Sequence, residues 1–317
     1  RSMRIGIVVD ATCDLPPEFI TEHGIDVLPI HIRLEDELWR DCRDPEATLA
    51  FYRDALGTRA YDAESVPLSA EEIRSHFLEN VVVDRDFAFV ITVTSTRSTI
   101  YENATKASFA VLNSYKPVRQ AQGVEGPFAM RVIDSRSLFC GTAVLAAEAV
   151  RRAGTGISPN ELRREIEALA PFVHAYMVPR DLYFIRKRAK KKGDRSVGLL
   201  AYAIGSALDI RPIIHAHQGE TAPVARFRHF DRAVEKMLET AAIEVESGLK
   251  APSLCVSYGG PLEDLEAIPA YVALRQVCAE NEVRMLTSIM SATAAINTGA
   301  GGLSVAYASH TAAEFSD

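Results

Sequence analysis

The chain has 317 residues, 48% of them hydrophobic, with a formal net charge of −7 and a pI near 5.7. That length suits two domains with real cores, and the acidic balance argues against a general nucleic-acid binder. No apolar stretch is long enough for a transmembrane segment; with Arg1-Ser2 set aside, the start shows no basic-plus-apolar signal, and five scattered cysteines without a CxxC pair point to free thiols in the cytoplasm.

Ile5–Val9 is apolar and reads as a strand, ended by Asp10-Ala11-Thr12-Cys13-Asp14. Pro17 opens a short helix that Gly24 closes, and Asp26–Ile32 reads as one further strand. Ser69 and Glu72 form a capping box for a helix over Ala70–Asn80. Phe87–Val93 is a buried strand, followed by hydroxyl-rich Thr94–Thr99 and a helix from about Tyr101. Lys116–Pro127 reads as a surface loop, Arg131–Ile133 as a short strand, and Gly141–Ala153 as an alanine-rich helix. Ser158-Pro159-Asn160-Glu161 starts a further helix that ends near Leu169. The second half holds short β-rich runs at Pro212–Ala216, Ala222–Phe227, Ser253–Tyr258, Arg284–Ile289 and Leu303–Ala308, with helices at Asp231–Glu246 and Ala270–Glu280.

The alternation in the first half implies an α/β fold: an N-terminal, mostly parallel three-layer domain over residues 1–170. A smaller C-terminal α+β domain follows over residues 171–317. Ligands of such sheets sit off the carboxyl ends of the strands, where Asp10–Asp14, Thr94–Thr99 and Asp134-Ser135 fall. Neutral hydroxyl donors leading into a helix N-terminus suit an anion and bring no evident base. That favours holding a ligand over cleaving one.

Other motifs are weaker. Asp10 and Asp14 admit a cation or turn chemistry, and the turn reading is preferred. His215-Ala216-His217 puts two imidazoles on one strand face before a Gln218-Gly219 turn, with no third ligand close in sequence. Asn297-Thr298-Gly299-Ala300-Gly301-Gly302 is a glycine-rich turn lacking the lysine of a P-loop, and no GxSxG elbow occurs. The basic run Arg186, Lys187, Arg188, Lys190, Lys191, Lys192 and Arg195 reads as a solvated face or a docking patch for an acidic or phosphate-bearing partner.

Taken in order, these pieces resemble the DegV family of bacterial lipid-binding proteins. Val8-Val9-Asp10-Ala11-Thr12-Cys13-Asp14-Leu15-Pro16 is similar to the family's D-S-T-A-D-L-P turn, and His23-Gly24-Ile25-Asp26-Val27-Leu28-Pro29-Ile30 to its second strand. Ser65-Val66-Pro67-Leu68-Ser69, Thr94–Tyr101, Val132-Ile133-Asp134-Ser135, Tyr183–Arg195, Ile210-Arg211-Pro212-Ile213-Ile214 and Asn297–Gly301 fall on further family motifs. The resemblance implies a non-catalytic carrier with no cofactor, burying one long-chain fatty acid in a tunnel between two domains. A separate fatty-acid kinase phosphorylates the bound carboxylate in better-understood members. Carried over, the head-group donors are Ser65, Ser95 and Ser98, with Asn297 in place of a histidine. Departures are Glu64 for threonine, Arg97 for leucine, Thr99 for glycine and Ala300 for proline; Glu64 and Arg97 are expected to modulate the head-group site. Peripheral membrane contact is compatible with such a carrier. The alternative is a metal-dependent enzyme in which Asp10, Asp14 and Asp134 act on a small phosphorylated or hydroxylated substrate.

Overall fold

The computed structural model describes residues 2–55, 62–182 and 208–316; the basic run Arg186–Arg195 lies outside them. The first sheet is wholly parallel, in the order β2 (Asp26–Leu28), β1 (Ile5–Asp10), β6 (Phe87–Thr92), β7 (Ala129–Asp134). Its strands are apolar on both faces because both are covered. Val8, Ala88 and Val90 pack against Ile73 and Phe77 of α3 (Ala70–Asn80) and Ala104, Ala107 and Val111 of α4 (Ile100–Leu112). The alternate residues Ile7, Val9, Phe89 and Ile91 pack against α6 (Cys140–Ala153).

The second sheet is mixed, in the order β10 (Glu220–Arg228), β9 (Ile210–His217), β8 (Val173–Val178), β13 (Leu303–Ala308), β11 (Ser253–Tyr258), β12 (Arg284–Ile289). Ala175, Ala216, Cys255 and Ala306 on one face close onto the same α6, whose residues Cys140–Ala149 are all buried. A helix enclosed from both sides must be small and apolar around its circumference, which is why this segment is alanine-rich. Its one buried carboxylate, Glu148, accepts from Arg151 and Arg152 at 2.6–3.0 Å. The far face of the sheet carries α8 (Phe230–Ser247) and α9 (Pro269–Glu280) over Tyr176, Ile213, Leu254 and Val305. The layers therefore run helix, sheet, helix, sheet, helix, with α6 shared.

A third, antiparallel sheet, β4 (Glu37–Asp41), β3 (Ile30–Leu34), β5 (Glu64–Val66), departs from the sequence reading. The expected single strand Asp26–Ile32 divides at Pro29, which has no N–H for a continuing ladder. Lys116–Pro127 is likewise not simply a loop, since Tyr115–Ala121 forms helix α5. It is anchored by buried Arg119, which donates to the carbonyls of Val82, Arg85, Glu125 and Gly126 and to Asp86. The capping box at Ser69 and Glu72 forms as read.

A buried charged group joins the first and second halves. Arg43 Nη1 donates to Asp14 Oδ1 at 2.8 Å, with the side chains 5% and 0% exposed. Asp14 Oδ1 also accepts from the Ser291 N–H, and the Asp14 carbonyl from Ser288 Oγ. Asp41 Oδ2 accepts from the backbone and hydroxyl of Thr293. Burial pushes the Asp14 carboxyl up to about 6, against the pull of the Arg43 guanidinium.

On the far face of β8 and β9, His174, His215 and His217 stack with ring centroids 4.3–5.6 Å apart, and Tyr176 continues the stack on His215 at 4.7 Å. His174 Nδ1 and His215 Nε2 share a hydrogen bond of 2.8 Å, and His217 Nε2 donates to the Pro171 carbonyl at 2.6 Å. Burial, reinforced by the neighbouring imidazoles, lowers His174 to about 3 and His215 to about 4.

Two outcomes follow from these buried groups. Replacing Arg43 with Met strands two buried carboxylates, and chemical denaturation at neutral pH is expected to show a loss of about 3–5 kcal/mol; a loss below about 1 kcal/mol contradicts that role. For the histidines, the unfolded chain binds protons near pH 6.5 whereas the folded chain resists them down to pH 4 and then 3. Their stabilising contribution is therefore complete above 6.5 and is lost as pH falls below it. Asp14 has the opposite sign, so the contrast is read against His215→Gln. The variant is expected to lose less stability than the native chain between pH 6.5 and 4.5, and parallel curves refute the assignment.

Candidate ligand-binding cavity

Between the carboxyl edge of the first sheet and the α6-facing side of the second lies a cavity with about 1200 Å³ of empty space, counting its open mouth. Period-two alternation in β8 and β9 makes one wall: Ala175, Met177, Ile214 and Ala216 line it, while His174 and His215 belong to the reverse face. Ile30, Pro67, Val93, Ile100, Leu138 and Phe139 add apolar surface from the first half. The polar lining comes from Thr12, Ser65, Arg97, Ser98, Thr221, Thr293, Asn297, Thr298 and Ser304, with Tyr176 also at the wall.

Each polar side chain is set by its element. Ser65 lies on β5, opposite Ile32 of β3. Ser98 sits before α4, and its hydroxyl accepts from the Ile100 N–H at 3.2 Å. Arg97 donates to Thr221 on the β9–β10 hairpin. Asn297 belongs to α10 (Ala292–Thr298), not to the turn read from the sequence; its amide donates to the Thr293 carbonyl at 2.8 Å. That leaves a second amide hydrogen and the amide oxygen for a ligand. Ser291 caps α10 by accepting from the Ala294 N–H, and Asp41 holds Thr293. Gly299 and Gly301, at φ 83° and 84°, turn the chain from α10 into β13, where a side chain at either position is strained.

The structure thus brings Ser65, Ser98, Arg97 and Asn297 to one cavity. It does not bring Ser95 or Glu64 there. Ser95 is exposed, and its hydroxyl donates to Asp134 Oδ2 at 2.6 Å; Glu64 is exposed on β5. Much of the hydroxyl cluster is structural. Thr96 Oγ1 donates to the Gly219 carbonyl at 2.6 Å, and Thr94 Oγ1 lies 3.1 Å from Thr96 Oγ1, which docks the β9–β10 hairpin on the first sheet.

The three aspartates of the metal reading are separately engaged. Asp10 accepts from Thr12 and from the Val93 N–H, with burial raising its pKa against those bonds. Asp14 pairs with Arg43, and Asp134 accepts from Ser95 and the Arg136 N–H. Among the described residues no group of three or more His, Cys, Asp or Glu side chains is placed to hold a metal ion, the stacked histidines included. No described helix is long and apolar enough to cross a membrane.

Thr221, Thr293 and Phe139 were not foreseen as cavity residues. Thr221 and Thr293 lie far from the N-terminal motifs in sequence, and only tertiary folding brings them in. Phe139 carries no local signal beyond its place between a strand and a helix.

The DegV family, described as an uncharacterised protein family, matches residues 4–310. A DegV domain-containing protein of Xanthomonas campestris is 47% identical over 306 residues, 96% of this chain and 98% of that one. A fatty acid-binding protein of Thermotoga maritima is 26% identical over 257 residues, 78% of this chain and 80% of its own. The solved structure of a Ruminococcus gnavus DegV-family protein, refined with vaccenic acid, has the same fold: TM-score 0.73 at 20% identity, covering 96% of this chain and 100% of that one. Matched along nearly its whole length by both sequence and fold, this chain belongs to the DegV family.

Proposed function

We propose that the chain is a non-catalytic carrier that buries a long-chain fatty acid or related acyl lipid between two units, residues 1–170 and 171–317. The observation that carries this reading is the cavity itself, apolar along β8, β9 and much of the first half and set with a limited group of hydroxyl, amide and guanidinium donors. An acyl chain of about sixteen carbons gains on the order of ten kcal/mol at roughly 0.8 per methylene, before ordering costs reduce it. The fatty-acid binding of the Thermotoga relative and the vaccenic acid of the Ruminococcus neighbour support the same ligand class.

In this reading Ser65, Ser98 and Asn297 donate to the head group, and Arg97, tied to Thr221, contributes positive charge beside it. Neutral donors with one guanidinium suit a carboxylate, and the open mouth is where a partner kinase reaches it. The basic run Arg186–Arg195 is the proposed docking element for that partner, and the site of action is the cytoplasm.

Three measurements test the reading. An organic extract of the purified protein, analysed by mass spectrometry, is expected to yield acyl chains. Their absence, together with failure of the emptied protein to bind oleic acid, sinks the proposal. Asn297→Ala and Ser65→Ala are each expected to weaken oleate binding roughly tenfold, for the loss of about 1.5 kcal/mol in a hydrogen bond to a charged group. Ser95→Ala serves as the contrast and is expected to leave the affinity unchanged; a matching loss there moves the head group to Asp134 and Ser95.

A further inference from the structure

Phe139 stands in a conformation that its residue type does not favour. At φ 50° and ψ −112° it forms the turn between β7 and α6, where a glycine would incur no steric cost. The surrounding chain fixes it there. The Phe139 carbonyl accepts from the N–H groups of Asp14 and Ala143, the Ser137 carbonyl from Thr94, and the Leu138 carbonyl from Gly141. The turn has no slack, since a Cβ added to Gly141 would lie 1.9 Å from Ser137 Oγ. The strain places an aromatic ring at the cavity. Phe139 lines it and packs against the cluster of Met177, Met290 and Ala294. Ala294 lies three and four residues before Asn297 and Thr298 on α10, so these share a helix face and the ring sits beside the polar donors.

We infer that Phe139 is a specificity-determining residue: its ring narrows the cavity next to the head group, admitting acyl chains that are unbranched at the carbons beside the carboxylate and rejecting those branched there. This rests on the acyl-binding reading. A strained backbone is a stiff support, so the ring cannot withdraw by the small backbone shifts that would relieve crowding elsewhere. Selectivity therefore comes from a fixed obstruction and not from an adaptable wall.

The test uses the delipidated full chain and two probes of equal carbon number, hexadecanoic acid and 2-hexyldecanoic acid. The native chain is expected to prefer the straight acid at least tenfold. Phe139→Ala and Phe139→Leu are each expected to cut that preference, chiefly through tighter binding of the branched acid, with Ala the larger effect. Leu retains apolar volume and is read alongside Ala, with thermal melts confirming that each variant is folded. Straight-chain binding with an unchanged ratio in both variants overturns this inference alone. Binding of neither acid to the native chain overturns the acyl reading and this inference with it.

Discussion

The buried pair of Asp14 and Arg43 is the constraint on which the rest of the structure depends. Asp14 ends the loop after the first strand, Arg43 follows strand β4 of the third sheet, and further donors to Asp14, Ser288 and Ser291, come from β12 and its connection to α10. Three segments distant in sequence meet at one guanidinium and one carboxylate. A buried ion pair is weak evidence for net stability, because desolvation consumes most of the Coulombic gain. What it supplies is selection among packings. Any arrangement that slides one half along the other leaves a charge unpaired in the interior, and that costs more than an apolar mismatch does. The consequence reaches the cavity through Asp41, which lies beside Arg43 and holds Thr293 at the start of α10. Thr293, Asn297 and Thr298 on that helix are then cavity residues. The polar lining contributed by α10 is thus positioned by charges that do not themselves line the cavity.

The second constraint is α6. One helix serves as core for both sheets, which is economical only if its side chains are short on every side. Its alanines let the first sheet and the second approach from opposite directions, and they set the spacing of the gap in which the cavity lies. Extending a side chain on either side of this helix moves a sheet, so the cavity and the core are not independent features.

Much of this was legible in the sequence, and the limits have physical causes. Strands buried on both faces, capping residues at Ser69 and Ser158, and the hairpin at Gln218-Gly219 are local signals, and they correspond to observed elements. The family motifs also identified Ser65, Ser98 and Asn297, which meet at one cavity although over two hundred residues separate the first from the last. Ser95 was the plausible donor that the structure does not bring in. A hydroxyl-rich run says that hydrogen bonds will form, but not with whom. Here Asp134 on the adjacent strand and the hairpin carbonyl at Gly219 take the bonds of Ser95 and Thr96. Arg119 shows the same limit from the other side: the prolines, glycines and weak periodicity of Lys116–Pro127 read as a surface loop, while five backbone and side-chain acceptors hold the Arg119 guanidinium inside. Partners that come from distant chain leave no trace in local composition.

The sidedness of the cavity follows from the same economy. Strands β8 and β9 turn alanine, isoleucine and methionine toward it and the imidazoles of His174 and His215 away from it. A histidine stack behind an apolar wall would be hazardous if it carried charge, because like charges at these separations repel strongly in a poorly solvated layer. Burial prevents that by holding His174 and His215 neutral well below physiological pH. The wall that faces the cavity therefore has two neutral imidazoles, His174 and His215, behind it, and the basic group lining the cavity, Arg97, reaches the edge of that wall, where it donates to Thr221, the cross-strand partner of Ala216. In the carrier reading, a ligand with one anionic end and one apolar end is oriented by that single charge, its head beside Arg97 at the edge of the wall and its tail running along the apolar residues of β8 and β9 away from it.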